Sequence, residues 1–287
     1  MSTGNLSSTT DRERLREHFS AENTPARWDD LWSTGTFLPW DRGTPNPALI
    51  DVLSTKQEYL GPPIIEEDGK QRRKKALVPG CGKGYDVFLF AAFGYDAYGL
   101  EGSPNAIKAC EGFRKEAEGK EEYAIRDQKA GRGSVKFVLG DFFSKTWEKE
   151  IDTKGDEEEE VKFDVIYDYT FLCALEPKSR PAWSQRMYDL LHPKGNLICL
   201  EFPTYKEPST GGPPWALPPE VYENLLPYPG EELKYNEEGY VIKEGKELSG
   251  KSMVRVAHWQ PDRTHEIGKG TDWVGIWQHQ VCPPRVL

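Results

Sequence analysis

From residue 76 onward the hydrophobic pattern switches between short continuous apolar runs and segments with helical spacing. ALVPG at 76–80 reads as a buried strand, YDVFLFAAFG as a helix and DAYGLEG as a second strand. SPNAIKACEGFRKEAEG follows as a second helix, with Ser103 as N-cap, Pro104 at the first helical position, and Ala106, Ile107, Cys110 and Phe113 on one face. The alternation continues through the strand SVKFVLGDFF and the strand FDVIYDYTFLCAL. A helix near RPAWSQRMYDLLH, a turn at HPKG and the strand GNLICLEFP come next. A βαβα order predicts a parallel sheet. KSMVRVAHWQP and GTDWVGIWQHQ alternate in character and predict an antiparallel pair closing it.

Upstream, residues 1–10 are Ser/Thr-rich and expected to be disordered, and 11–24 have the makings of a helix. RWDDLWSTGTFLPWDRGTPNPALIDVL reads as an ordered loop leading into a short helix at 46–54, and KQEYLGPPIIEEDGKQRRKK as a surface connection. The run Asp156 to Glu160 is expected to be a solvated loop, because charges that dense resist burial. Residues 203–250 carry too many Pro, Gly and charged residues for a central strand, so they predict an insertion over the sheet's edge, of the kind that often acts as a lid. The expected organisation is a flexible or helical N-terminus (1–24) followed by one domain (25–287). No internal repeat is evident.

A formal net charge of −10 argues against nucleic acid or an anionic membrane surface as partners. No apolar run approaches a spanning segment and the N-terminus lacks a signal-peptide core, so the expected compartment is the cytoplasm. Cys81, Cys110, Cys173, Cys199 and Cys282 are far apart with no CxxC pair, neither a disulfide framework nor a zinc site, and the carboxylates show no metal-ligand pattern. Without a heptad or an interface stripe, a monomer is the default expectation.

The turn after the first strand of the alternating region carries the chemistry. A dinucleotide fold wants G-x-G-x-x-G, whereas here Gly80, Gly82 and Gly84 form G-x-G-x-G and Tyr85 stands where the third glycine would be. Glu101, about 20 residues on at a strand end, suits the two hydroxyls of a ribose. A nucleoside without a pyrophosphate fits, and S-adenosylmethionine (SAM) is one. That reading requires a polar group after the third strand to meet the adenine, and Asp141 with Phe142 supplies it, although Asp141 alone would pass as a turn residue. A nicotinamide-dependent oxidoreductase is disfavoured by Tyr85, and a non-catalytic SAM-binding module by the intact constellation.

RWDDLW, PWDRG, LVPGCGKGYD, LEGS, GDFF, YDYTFLCALEP and RPAWSQRMYDLL together resemble the thiopurine methyltransferase superfamily, over residues 25–205 and more loosely through HWQPDRTHEIG. Within it the sequence is similar to the plant halide and thiol methyltransferases and their fungal relatives, among them the gliotoxin-type enzymes that methylate epidithiodiketopiperazine dithiols. The resemblance implies a Rossmann-like class I fold with a mostly parallel seven-stranded sheet. It also implies that Trp28, Trp32 and Trp40 cover the SAM pocket, although Trp28 and Trp32, four apart, would equally serve as a core helix pair. The implied cofactor set further takes in Cys81, Asp86, Gly102, Ser103 and Tyr167.

Methyl transfer to a thiol requires collinear reactants and a deprotonated sulfur. Asp168 and Tyr169, at the C-terminal end of FDVIYDYT, are the candidates to assist, with His258 or His265 as alternatives. Asp168 also reads as a carboxylate capping the next turn, and Tyr169, Phe171 and Cys173 as alternating core positions. Relatives carry an arginine in the place of Tyr169, which argues against a thiopurine acceptor. The size of the 203–250 insertion predicts an acceptor larger than a halide ion, an organic thiol of several rings, with Phe171 and Trp215 as its expected apolar contacts.

Overall fold

A computed structural model describes residues 9–67, 69–151, 160–243, 245–248 and 250–280. The Ser/Thr-rich start, Cys282 and all but the last member of the Asp156–Glu160 run lie outside these. In chain order the elements are α1 Thr9–His18, α2 Pro25–Thr34, α3 Pro47–Thr55, α4 Gln57–Leu60, β1 Ile64–Glu67, β2 Lys70–Arg73, β3 Lys75–Pro79, α5 Tyr85–Ala92, β4 Asp96–Glu101 and α6 Pro104–Gly119. Then follow β5 Val135–Leu139, β6 Phe163–Tyr169, α7 Arg180–Leu190, β7 Leu191–Glu201, α8 Pro219–Leu225, β8 Met253–Trp259 and β9 Trp273–His279.

Seven strands form one sheet in the order β5-β4-β3-β6-β7-β9-β8. The first five are parallel, and β9 runs antiparallel between β7 and β8. Strand order reverses at β3, which pairs with β4 on one side and β6 on the other, so a crevice opens beyond the ends of β3 and β6. Ligands of open α/β sheets bind at such a switch point. Leu77, Ile166, Leu197 and Trp277 bury one face of the sheet against Trp183 and Met187 of α7. Val78, Ala97, Val165 and Tyr167 bury the other against the apolar residues of α3 and α5. Ser103 caps α6 as its sequence predicts, accepting from the Ala106 amide at 2.9 Å.

Several elements differ from expectation: α2 occupies Pro25–Thr34 in the segment read as an ordered loop, and β7 starts at Leu191 and takes in the HPKG residues read as a turn. The strand predicted over 163–175 stops at Tyr169, where Thr170 takes a left-handed φ of 61° and a short 3-10 turn follows at Leu172–Ala174. Phe171 and Cys173 therefore leave the sheet. The supposed surface connection contains the β1–β2 hairpin, and the Arg72 guanidinium makes two bonds to Asp164 at 2.7 and 2.8 Å, tying that hairpin to the start of β6. The insertion is more than a flap: Val221, Tyr222 and Leu225 of α8 are fully buried in the α7-side core. That spacing on one helical face explains their burial, but the surrounding Pro and Gly masked it in the sequence.

Candidate active site

The glycine turn leaves β3 at Pro79 with Gly80 and Gly84 at φ 59° and 79°. A Cβ on Gly80 would lie 2.4 Å from the Phe171 ring, so this glycine lets Phe171 reach the wall of the cavity. A Cβ on Gly84 would lie 2.5 Å from Phe137 of β5. Gly84 does not line the cavity; it lets the start of α5 pack against the sheet, the service a dinucleotide fold asks of its third glycine. Glu101 folds back over the turn: Oε2 accepts from Gly82 N at 3.1 Å, and Oε1 from Gly102 N at 2.8 Å and Ser103 N at 3.1 Å. A carboxylate has about four lone-pair directions, and three are taken, which leaves one for a ligand hydroxyl rather than two. Burial raises the Glu101 pKa against the pull of those amides.

Trp28, Trp32 and Trp40 all line the cavity, with ring centroids 5.1 Å apart for Trp28 and Trp40 and 6.0 Å for Trp32 and Trp40. Two aspartates fasten this cover. Asp29 accepts from the Ser103 hydroxyl, from Asn105 N at 3.0 Å and from Asn105 Nδ2 at 2.9 Å, clamping α2 to the start of α6. Ser103 thereby commits its hydroxyl to Asp29 and lies off the cavity, contrary to its expected place in the cofactor set. Asp41 accepts from the Tyr85 hydroxyl at 2.8 Å and pairs with Lys83 at 2.6 Å. Tyr85, legible in the sequence only as a missing glycine, is the residue that docks the cover on the turn. Farther out, α1 reaches the insertion through Arg12 to the Tyr205 hydroxyl at 2.8 Å and Arg16 to Thr210 O at 3.0 Å.

Beyond β5, Asp141 accepts from Phe143 N at 3.0 Å, and Asp141, Phe142 and Phe143 line one end of the cavity. Cys81 and Gly102 line it too. Contact with Cys110, then burial, pushes the Cys81 thiol well up, and burial does the same to Cys173, so neither is a ready nucleophile.

At the end of β6 the expected set divides. Tyr169 and Phe171 line the cavity. Tyr167 points into the α5-side core and is 1% exposed, so its expected cofactor role is corrected to packing. Asp168 is corrected as well: it is sealed off, with Oδ1 accepting from Leu172 N at 3.2 Å and Oδ2 from Trp183 Nε1 at 2.9 Å. It caps the turn that ends the strand, and burial pushes its pKa up to about 6. Asp168→Asn should therefore leave kcat/KM of the folded variant within a few-fold of the parent. A fall of 100-fold or more in a folded variant would restore a chemical role.

Trp215 also lies off the cavity, its indole packed over Gly212 and its amide donating to Cys173 O at 2.6 Å; Phe202, Pro213 and Pro214 form that wall instead. Of the two candidate histidines, His258 pairs with the buried Glu201 at 3.1 Å away from the cavity. His265 lines it, stacked on Tyr169 with centroids 6.1 Å apart. Burial, with Arg42 nearby, pulls the His265 pKa down to about 4, and burial pushes the Tyr169 phenol far above its ordinary range; both are neutral at pH 7. Asp86, in the first turn of α5, lines the cavity as well, accepting from Asn46 N at 3.2 Å, and burial pushes its pKa up to about 7.

The cavity measures about 410 Å³. Its glycine cradle, the open acceptor direction of Glu101 and the indole wall fit a cationic nucleoside.

Comparison with known proteins bears on the same residues. The family model for thiopurine S-methyltransferase matches residues 23–260. A probable thiol methyltransferase 2 of Arabidopsis thaliana is 34% identical over 223 residues, covering 78% of this chain and 81% of the relative. Thiocyanate methyltransferase 1 of Brassica oleracea is 32% identical over 228 residues, covering 78% and 83%. A thiopurine S-methyltransferase of Legionella pneumophila is 28% identical over 193 residues, covering 67% and 76%. Among solved structures, a SAM-dependent methyltransferase from Anabaena variabilis superposes with a TM-score of 0.53 at 14% identity, covering 90% of this chain and 96% of that one, a likeness of fold alone.

Proposed function

We propose, since this chain belongs to the thiopurine S-methyltransferase family and has the Rossmann-like class I fold of SAM-dependent methyltransferases, that its acceptor is a compact organic thiol. The cavity's size carries the choice. Ligand pockets span roughly 300–1,000 Å³, and about 410 Å³ is at the low end even before SAM is accommodated. What remains beside Tyr169, Phe171, Pro213 and Pro214 suits a small thiol. The multi-ring epidithiodiketopiperazine dithiol suggested by resemblance would need that wall to retreat. The plant relatives are named for a thiol and for thiocyanate, sulfur acceptors both.

In this reading Glu101 receives a ribose hydroxyl, the glycine turn offers its backbone, and Asp141, Phe142 and Phe143 flank the adenine. SAM supplies a methyl group on a cationic sulfur. Trp28, Trp32 and Trp40 exclude water and present aromatic faces to that charge. Tyr169, neutral at working pH, offers its hydroxyl to the acceptor sulfur, and Phe171 with Pro213 and Pro214 narrows its approach, so positioning supplies most of the acceleration.

Product mass after incubation with SAM and a panel of acceptors is the test. 2-Mercaptoethanol and other small thiols should gain one methyl group each, with thiopurines slow. Turnover confined to a reduced epidithiodiketopiperazine dithiol, gaining two methyl groups, would replace the compact acceptor with the larger one. Turnover confined to halides would overturn the thiol reading.

A further inference from the structure

Asp86 is a cavity carboxylate with no ion-pair partner among the described residues. Its Oδ1 takes the Asn46 amide, and Oδ2 has no hydrogen-bond partner among the described residues. The groups that face it are neutral phenols: Tyr123 from the 3-10 turn at 121–123, and Tyr167 and Tyr169 from β6. The nearby cations have other company, Lys83 being paired with Asp41 and Arg42 facing Tyr169 and His265. The start of α5 gives only partial compensation. Asp86 is half-buried, and a carboxylate turned into a cavity with one oxygen unpaired by the protein is costly; such costs concentrate at working sites.

Resting on the thiol reading above, we propose that Asp86 is the base that takes the proton from the acceptor thiol. The S–H bond breaks and an O–H bond forms on Asp86 Oδ2, leaving the electron pair on the acceptor sulfur. That pair makes the new bond to the methyl carbon as the carbon's bond to the sulfonium sulfur breaks with its own pair, giving two neutral thioethers. The proton then leaves Asp86 for solvent through the cavity mouth.

The other wall groups serve less well. Asp168 is sealed, His265 is too weak a base, Tyr169 holds its proton too tightly, and Glu101 is occupied by three amides. Burial pushes the Asp86 pKa up to about 7, between an ordinary carboxylate and a free thiol near 8.5, so near neutral pH it is partly ionised and a stronger base than an ordinary carboxylate.

The test compares wild type and Asp86→Asn on 2-mercaptoethanol and on 4-nitrothiophenol, which is already a thiolate at pH 8, with SAM affinity measured by calorimetry. Loss of a general base costs about 100-fold or more in kcat/KM, and that loss should fall on the alkyl thiol. Expected alongside it are a change under about fivefold on the aryl thiolate and a near-parental SAM Kd. Wild-type kcat/KM for the alkyl thiol should rise with pH through about 7, and in the variant follow the thiol's own ionisation instead. Equal losses on both acceptors, or a SAM Kd weakened in step with them, would show that Asp86 holds the cofactor. A wild type that methylates neither thiol sinks the thiol reading itself, a separate outcome.

Discussion

Glu101→Gln should weaken SAM binding by roughly 10- to 150-fold, the loss expected when a hydrogen bond to a charged group worth about 1.5–3 kcal/mol is removed. The substitution keeps shape and volume but turns one oxygen into an N–H donor. Whichever side the amide takes, it faces a backbone donor, either Gly82 N or the pair Gly102 N and Ser103 N. Either Gly82 N, or both Gly102 N and Ser103 N, then lose their acceptor, at a cost of about 1–3 kcal/mol in stability for each. Calorimetric titration with SAM and thermal melts of the apo protein read the two effects separately. SAM affinity within about twofold of the parent in a folded variant would remove Glu101 from the ribose.

Much of this architecture is written locally. α6 announces itself through Ser103, Pro104 and the spacing of Ala106, Ile107, Cys110 and Phe113; Ala106, Cys110 and Phe113 are buried with Ala117, while Ile107 is half-buried. The parallel core follows from apolar runs separated by helical spacing, and the glycine turn with Glu101 and Asp141 marks the crevice in the sequence itself. Pairings across long stretches of sequence are not written that way. The alternation of Tyr167, Asp168 and Tyr169 was visible, but which face meets the cavity depends on Trp183, 15 residues on, donating to Asp168. Tyr85 had meaning only once Asp41, 44 residues earlier, came within 2.8 Å. Trp215 follows Gly212, Pro213 and Pro214, and no hydrophobic period encodes the direction in which that run turns its indole.

The cover and the insertion work as one closure. Asp29 and Asp41 hold the tryptophans on the core of the fold, while Arg12 and Arg16 of α1 span to Tyr205 and Thr210 of the insertion. Asn23 adds a link inside the mouth, accepting from Trp28 Nε1 at 2.7 Å and donating to Ala174 O at 2.7 Å. In the proposed reading the cofactor wall and the acceptor wall are thus bonded to each other. A change in either is expected to alter affinity for both ligands.

Asp86→Asn should make the apo protein more stable at pH 8, by up to about 4 kcal/mol. The folded carboxyl keeps its proton until about pH 7, because burial raises its pKa, whereas an unfolded one releases it near pH 4. Between those values the folded state binds more protons than the unfolded state, so rising pH weakens it by about 1.4 kcal/mol per unit over some three units. Below pH 4 both states are protonated and the penalty is absent; above pH 7 it is complete. The asparagine carries no charge and retains an oxygen for the Asn46 amide. Its advantage should be large at pH 8, shrink through pH 6 and vanish near pH 4. Denaturant unfolding of both proteins across that range is the measurement. A variant less stable than wild type at pH 8, or a difference independent of pH, would mean that the Asp86 charge is compensated in the folded protein; stabilisation at pH 8 by a substitution that also removes thiol turnover is the pattern of a carboxylate kept for chemistry at the expense of stability.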